Sequence, residues 1–369
     1  MARSRLHELS EQGQSVWIDF VSRELIHGGG LARLMEEDAI VGVTSNPTIF
    51  QKAISSGSDY DGQIRESLEE LDDPKEIFWR LAETDIKDAC DVLRRVWDEG
   101  GGRDGFVSIE VDPNLAYERQ AQYDEAMRLH AQIDRPNLFV KIPGTAPGLG
   151  AIEGAIAQGK SINVTLIFSL ERYREVAEAY IRGLERLVEA GGDPSPVASV
   201  ASFFVSRVDT EADKRLDAIG GHEHLKGKLA VANAKLAYQE YKRLFSGGRW
   251  EVLAAKGANR QRCLWASTST KNPAYRDVMY VEDLIGPETV NTMPEETIVA
   301  FQDHGRVAPT LEQGIHEANR LLEELAEAGI DYDDVTETLE REGVEKFADS
   351  FRELLDGIEA KRTQLAGVA

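Results

Sequence analysis

The sequence predicts an α/β fold: a (β/α)8 TIM barrel with helical insertions and a helical C-terminal segment. Three observations carry this. Short apolar runs rich in β-branched residues recur along the chain, separated by longer segments of helical period, as in a parallel sheet wrapped in helices. Seven such runs are clear and an eighth is weaker, a number that suits a closed barrel. The run LFVKIP over 138–143 is apolar at nearly every position, the pattern of a strand buried on both faces.

In chain order the expected strands are VWIDF (16–20), IVGVTSN (40–46), GFVSIEVD (105–112), LFVKIP (138–143), SINVTLIF (161–168), VASVASFFV (197–205), CLWAST (263–268) and the weaker VNTM (290–293). Between the fifth and sixth, Ser169 is a natural N-cap, and Tyr173, Val176, Ala177, Tyr180, Ile181, Leu184 and Leu187 share a helix face that Gly191, Gly192 and Pro194 end. Residues 51–104 and 207–260 exceed a plain βα unit. They predict insertions with helices at about 75–98 and 225–245. From about 310 onward the text is amphipathic helix with acid-rich faces, which are ordinarily solvated. No repeat and no Pro/Ser-rich linker interrupts it, so residues 1–369 are expected to form one domain.

With 42% apolar and 29% charged residues, the composition is that of a soluble globular protein. Lys and Arg number 42 against 65 Asp and Glu, a net charge of −23 that disfavours nucleic acid and anionic membranes as partners. No apolar stretch approaches the roughly 20 residues needed to span a bilayer, and MARSRLHELSEQGQ has no h-region, so a cytoplasmic location is expected. Cys90 and Cys263 are far apart and signal neither a disulfide framework nor a zinc site. The sequence leaves monomer and homodimer open.

In a parallel barrel the chemistry sits at the C-terminal strand ends. Asp19 closes the first strand, Thr44, Ser45 and Asn46 the second, and Glu110 and Asp112 the third. Lys141 lies near the end of the fourth, Asn163 and Thr165 point to one side of the fifth, and Ser202 is on the sixth with Arg207 after it. A lysine is almost never fully buried without a partner or the loss of its proton. Desolvation disfavours the ammonium, and a neutral amine can attack a ketone to form a Schiff base, whose iminium draws electrons from the neighbouring carbon–carbon bond. A carboxylate must then take the hydroxyl proton, and another group must relay protons through water; Asp19 and Glu110 are available. Bland readings stand beside these: Asp19 as a loop cap, Asn46-Pro47 as a turn starter, Lys141 as a lysine snorkelling from a strand end.

The ordered set WIDF, VGVTSNPTIFQKAI, VSIEVDP, LFVKIPGT, INVTLIFS, VASFFVSRVD, LWASTSTKNPAY and VNTMPEET resembles the transaldolases, in their longer bacterial type, across nearly all of the chain. The resemblance implies a Schiff base on Lys141, Asp19 as acid/base at the cleaved bond, and Glu110 relaying protons through a water held with Thr165. Asn46 and Asn163 would bind donor hydroxyls, Ser202 and Phe204 would line the substrate site, and Arg207 would bind phosphate. The family's second phosphate-binding arginine is replaced within ASTSTKN, where Lys271 is the substitute. It lacks the bidentate fork of arginine. The implied reaction passes dihydroxyacetone from sedoheptulose 7-phosphate to glyceraldehyde 3-phosphate, giving erythrose 4-phosphate and fructose 6-phosphate in the pentose phosphate pathway. The partners are small phosphorylated ketoses and aldoses. No metal or organic cofactor is called for, because the imine is the electron sink.

Two alternatives accompany this reading. A fructose-6-phosphate aldolase would release the three-carbon unit, and that subfamily typically carries Gln and Tyr where this chain has Glu110 and Phe204. A catalytically silent sugar-phosphate binding protein would have lost the lysine or the acid, and both are present.

Overall fold

Eight parallel strands close into a barrel in chain order, each paired with the next and the eighth with the first. The computed structural model describes residues 4–55 and 57–366. The strands are β1 (Gln14–Ile18), β2 (Ile40–Val43), β3 (Phe106–Glu110), β4 (Leu138–Pro143), β5 (Ile162–Ile167), β6 (Ser199–Phe204), β7 (Arg262–Ala266) and β8 (Thr289–Met293). The short VNTM run is therefore a full barrel strand. β1 and β2 stop earlier than their apolar runs suggest, so Asp19 and Asn46 belong to the loops at the barrel mouth. Pro47, with no N–H to donate, opens the helix Pro47–Ser55 there.

The barrel interior is layered. At the N-terminal mouth, Arg262 pairs with Asp104 at 2.9 Å and donates to Ser15 Oγ at 2.8 Å, so its charge is compensated. Above it an aromatic plug fills the axis: Phe106 and Phe139 stack at 4.0 Å, with Trp17 at 6.0 Å from Phe139. Gly42 admits this plug, since a Cβ there would fall 2.5 Å from Trp17 ring carbons. The next layer is polar. Glu110 pairs in register with Lys141, and Lys141 with Asn163, so three of the expected site residues lie level on neighbouring strands.

β5 carries a register shift between Val164 and Ile167, where buried Leu166 adopts φ +60°. A left-handed non-glycine residue costs roughly 1–2 kcal/mol, and such bulges re-aim neighbouring side chains. Thr165 is that neighbour.

The expected helix near 75–98 is Pro74–Glu99, capped by Asp73, whose side chain accepts from Lys75 N. Ser169 caps Leu170–Glu189 in the same way. The helix expected from 225 starts instead at Leu229. Residues 223–225 form a separate 3-10 turn, and Gly227 between them, at φ +68°, approaches Tyr275 so closely that a Cβ would lie 2.7 Å from its ring. The first insertion is tied down by buried Asp85, which accepts from Arg23 Nε at 2.9 Å and from the Tyr60 hydroxyl at 2.7 Å. The C-terminal text forms Ile315–Glu327 and one 35-residue helix, Tyr332–Ala366. The latter packs on the helices Pro47–Ser55, Pro74–Glu99 and Ser206–Ile219 and on β5, spanning the C-terminal mouth. It is not merely a solvated helix.

Candidate active site

A cavity of about 490 Å³ opens at that mouth. Lys141 reaches it from β4 with a side chain only 6% exposed. Its Nζ donates to the Ser45 carbonyl at 3.1 Å and lies 3.7 Å from Glu110 Oε2, an ion-pair distance too long for a hydrogen bond. The Ser45 hydroxyl donates to the Ser108 carbonyl at 2.7 Å and so fixes the loop that receives the amine.

Glu110 is buried beside Lys141 and does not line the cavity itself. Burial pushes its carboxyl up to about 7, further raised by the Asp19 charge and restrained by Lys141 and Arg207. Among the described residues neither of its oxygens has a hydrogen-bond partner, and the same holds for the buried Thr165 hydroxyl. A carboxyl that titrates near neutrality next to an amine can give and take protons at little cost.

Asp19 is half-buried on the cavity wall. Burial raises its pKa, while the Lys141 charge, the Thr44 hydrogen bond and Arg207 pull the other way. Thr44 donates to Asp19 Oδ1 at 2.6 Å, and its hydroxyl also lies 2.6 Å from that of Thr292. This chain from β2 to β8 fixes the carboxylate's orientation.

Of the ten residues to which the resemblance assigns roles, the cavity is lined by Asp19, Asn46, Lys141, Thr165, Ser202, Phe204, Arg207 and Lys271. Glu110 and Asn163 sit beneath its wall. Asn163 donates to Ser108 Oγ at 3.1 Å and accepts from Ser202 Oγ at 2.7 Å, so its amide is engaged within the barrel and orients Ser202 above it. Asn46 caps the helix Pro47–Ser55, its Oδ1 accepting from Ile49 N at 3.0 Å, so the turn reading and the cavity reading both describe it. Asp112 is a turn residue alone: it accepts from Asn114 N at 2.8 Å and pairs with Lys75 at 2.5 Å.

Arg207 faces the cavity from the start of the helix after β6. Its Nη1 is buried without a hydrogen-bond partner among the described residues. Burial pulls its pKa down, against the distant charges of Glu110, Asp19 and Glu342. Lys271 is exposed and donates to Ser269 Oγ at 2.6 Å. Sequence reasoning passed over Lys52, Thr292 and Phe347, which also line the cavity. Lys52 was legible in principle, because Thr48, Ile49 and Lys52 share one face of a helix that begins at the barrel mouth. Among the described residues no three His, Cys, Asp or Glu side chains are grouped as a metal site.

The arrangement joins a buried amine, a neutral-range carboxyl beside it, a second carboxylate on the cavity wall and cations at the mouth. Comparison with known proteins agrees with that chemistry. The family model described as transaldolase/fructose-6-phosphate aldolase matches residues 16–358. A transaldolase of Acidothermus cellulolyticus is 54% identical over 351 residues, 95% of this chain and 94% of its own. One from a Parafrankia species is 53% identical over 367 residues, 99% of each chain. Transaldolase 2 of Streptomyces coelicolor is 50% identical over 364 residues, 98% of each.

Proposed function

From its membership of the transaldolase/fructose-6-phosphate aldolase family, to which this chain belongs, we propose a residue-level account of catalysis centred on Lys141. The protein is an enzyme, a transferase with transaldolase activity on sugar phosphates. It passes a dihydroxyacetone unit from sedoheptulose 7-phosphate to glyceraldehyde 3-phosphate. The observation that carries the account is the placement of the Lys141 amine, buried, 3.7 Å from Glu110 and open to the cavity that Asp19 lines.

The Lys141 Nζ lone pair attacks the ketose C2 carbonyl. Glu110, near its midpoint at neutral pH, passes a proton to the departing hydroxyl through water held with Thr165, and the carbinolamine loses water to leave an iminium. Asp19 then takes the C4 hydroxyl proton, the C3–C4 bond breaks, and its electron pair flows into the iminium to give an enamine. The aldose product leaves and the acceptor aldehyde takes its place. The enamine carbon attacks it, Asp19 returns its proton, and hydrolysis frees Lys141. The Thr44 hydrogen bond, which favours the ionised carboxylate, suits Asp19 to the role of base. Arg207, with Lys271 and Lys52 nearer solvent, receives the phosphate. Ser202 and Asn46 contact donor hydroxyls, and Asn163 acts through Ser202. Phe204 closes the apolar side.

In this reading the whole chain works as one barrel domain in the cytoplasm. No helix among the described residues is long and apolar enough to cross a membrane. The test is turnover of fructose 6-phosphate with and without erythrose 4-phosphate. Acceptor-dependent formation of sedoheptulose 7-phosphate supports transfer; equal consumption without acceptor, with free dihydroxyacetone, would mark an aldolase.

A further inference from the structure

We propose that Phe347, on the C-terminal helix, is a positioning residue for phosphate recognition: it and Phe204 flank the Arg207 guanidinium and hold its charge toward the cavity without neutralising it. The Arg207 Cζ lies 5.0 Å from the Phe204 ring centroid and 5.7 Å from that of Phe347, both within cation–π range. Arg207 is half-buried, and a guanidinium withdrawn from water normally takes a carboxylate partner. Among the described residues, no carboxylate lies within 4.0 Å of this one. A carboxylate would have cancelled much of the field that a phosphate dianion must feel. An aromatic face stabilises the cation and leaves its donors free, and Nη1 is indeed buried and unpartnered among the described residues.

The two rings come from β6 and the C-terminal helix, far apart in the sequence, so the clamp depends on where that helix is seated. That seat is well defined. Thr48 donates to Ser350 Oγ at 2.9 Å, tying the helix to the cavity-lining helix Pro47–Ser55. Phe351, one turn beyond Phe347, packs edge-on to Phe78 at 5.4 Å. Gly343, one turn before, lies so close to the β5 bulge that a Cβ would stand 3.0 Å from Leu166 Cδ2. Phe204 is braced in turn by Phe168 at 5.2 Å.

This inference rests on the reading that Arg207 binds phosphate, and the test separates the two. The full-length protein is assayed for kcat/KM with fructose 6-phosphate and with fructose as donors, D-erythrose being the common acceptor and sedoheptulose the product read in both. Phe347→Leu is expected to lower the preference for the phosphorylated donor roughly tenfold, chiefly through KM, while kcat/KM for fructose stays near wild type. Phe347→Tyr, which keeps a ring, restores the preference. Arg207→Ala lowers the preference further, and adding Phe347→Leu to it has no additional effect, because the ring acts through the guanidinium. An unchanged preference in Phe347→Leu, or the same loss repeated in the Arg207→Ala background, would overturn the clamp. An unchanged preference in Arg207→Ala would overturn the phosphate reading and the clamp with it.

Discussion

Glu110 and Lys141 sit level on adjacent strands, carboxylate and amine 3.7 Å apart, both buried. The pair joins the costliest feature of the sequence, a lysine inside an apolar strand, to the carboxyl whose proton affinity its burial sets.

Glu110 binds its proton more tightly in the folded protein, at about 7, than at the ordinary value of 4.5. Between those values the folded state holds more protons than the unfolded chain, so the contribution of this group to stability falls as pH rises. Glu110→Gln removes that loss. Its stability relative to wild type should rise by up to roughly 3 kcal/mol between pH 4.5 and 7.5, while kcat falls about 10²–10³-fold. Urea unfolding of both proteins across this range measures the difference. Asp209, also raised to about 7 by burial, is common to both and cancels.

Asp19→Asn separates imine formation from bond cleavage. The variant should still form the iminium on Lys141, while transfer drops by about 10²–10⁴-fold. Rapid-quench borohydride trapping set beside steady-state turnover reads both. A parallel loss of trapping would place Asp19 in imine formation instead.

Thr44→Val deletes the 2.6 Å hydrogen bond to Asp19 and leaves Thr292 without that partner. The acidic limb of the kcat profile, where Asp19 must be ionised to act as base, should shift to higher pH and kcat should fall about tenfold, while Thr44→Ser restores both. A Val variant with wild-type kcat and pH profile would remove Thr44 from the account.

Gly42→Ala tests the aromatic plug apart from the chemistry. A methyl group 2.5 Å from the Trp17 ring must push plug or strand aside. The expected cost is about 1–3 kcal/mol in urea unfolding. Unchanged stability would show that the barrel floor yields easily.

Much of the fold was legible because a parallel barrel writes its strands as continuous apolar runs, and LFVKIP matches β4 residue for residue. A polar residue in such a run is conspicuous, so Lys141, Glu110, Asn163 and Ser202 could be picked out. Their partners could not. That Asn163 is spent on Ser108 and Ser202 depends on strand register, which no single run encodes. Phe347 was hidden for a different reason. The period of an acidic amphipathic helix says that one face is buried but not what it is buried against, and here the answer is a residue 140 positions earlier, Arg207. The left-handed Leu166 carries no local signal, since no glycine or asparagine marks the bulge.

The most direct test of the central claim is intact-mass spectrometry after incubation with fructose 6-phosphate and borohydride, with Lys141→Ala alongside. The account predicts a covalent three-carbon adduct on the wild-type protein and none on the variant. A folded wild-type protein that takes up no adduct, or a Lys141→Ala variant that takes up the same one, would contradict it.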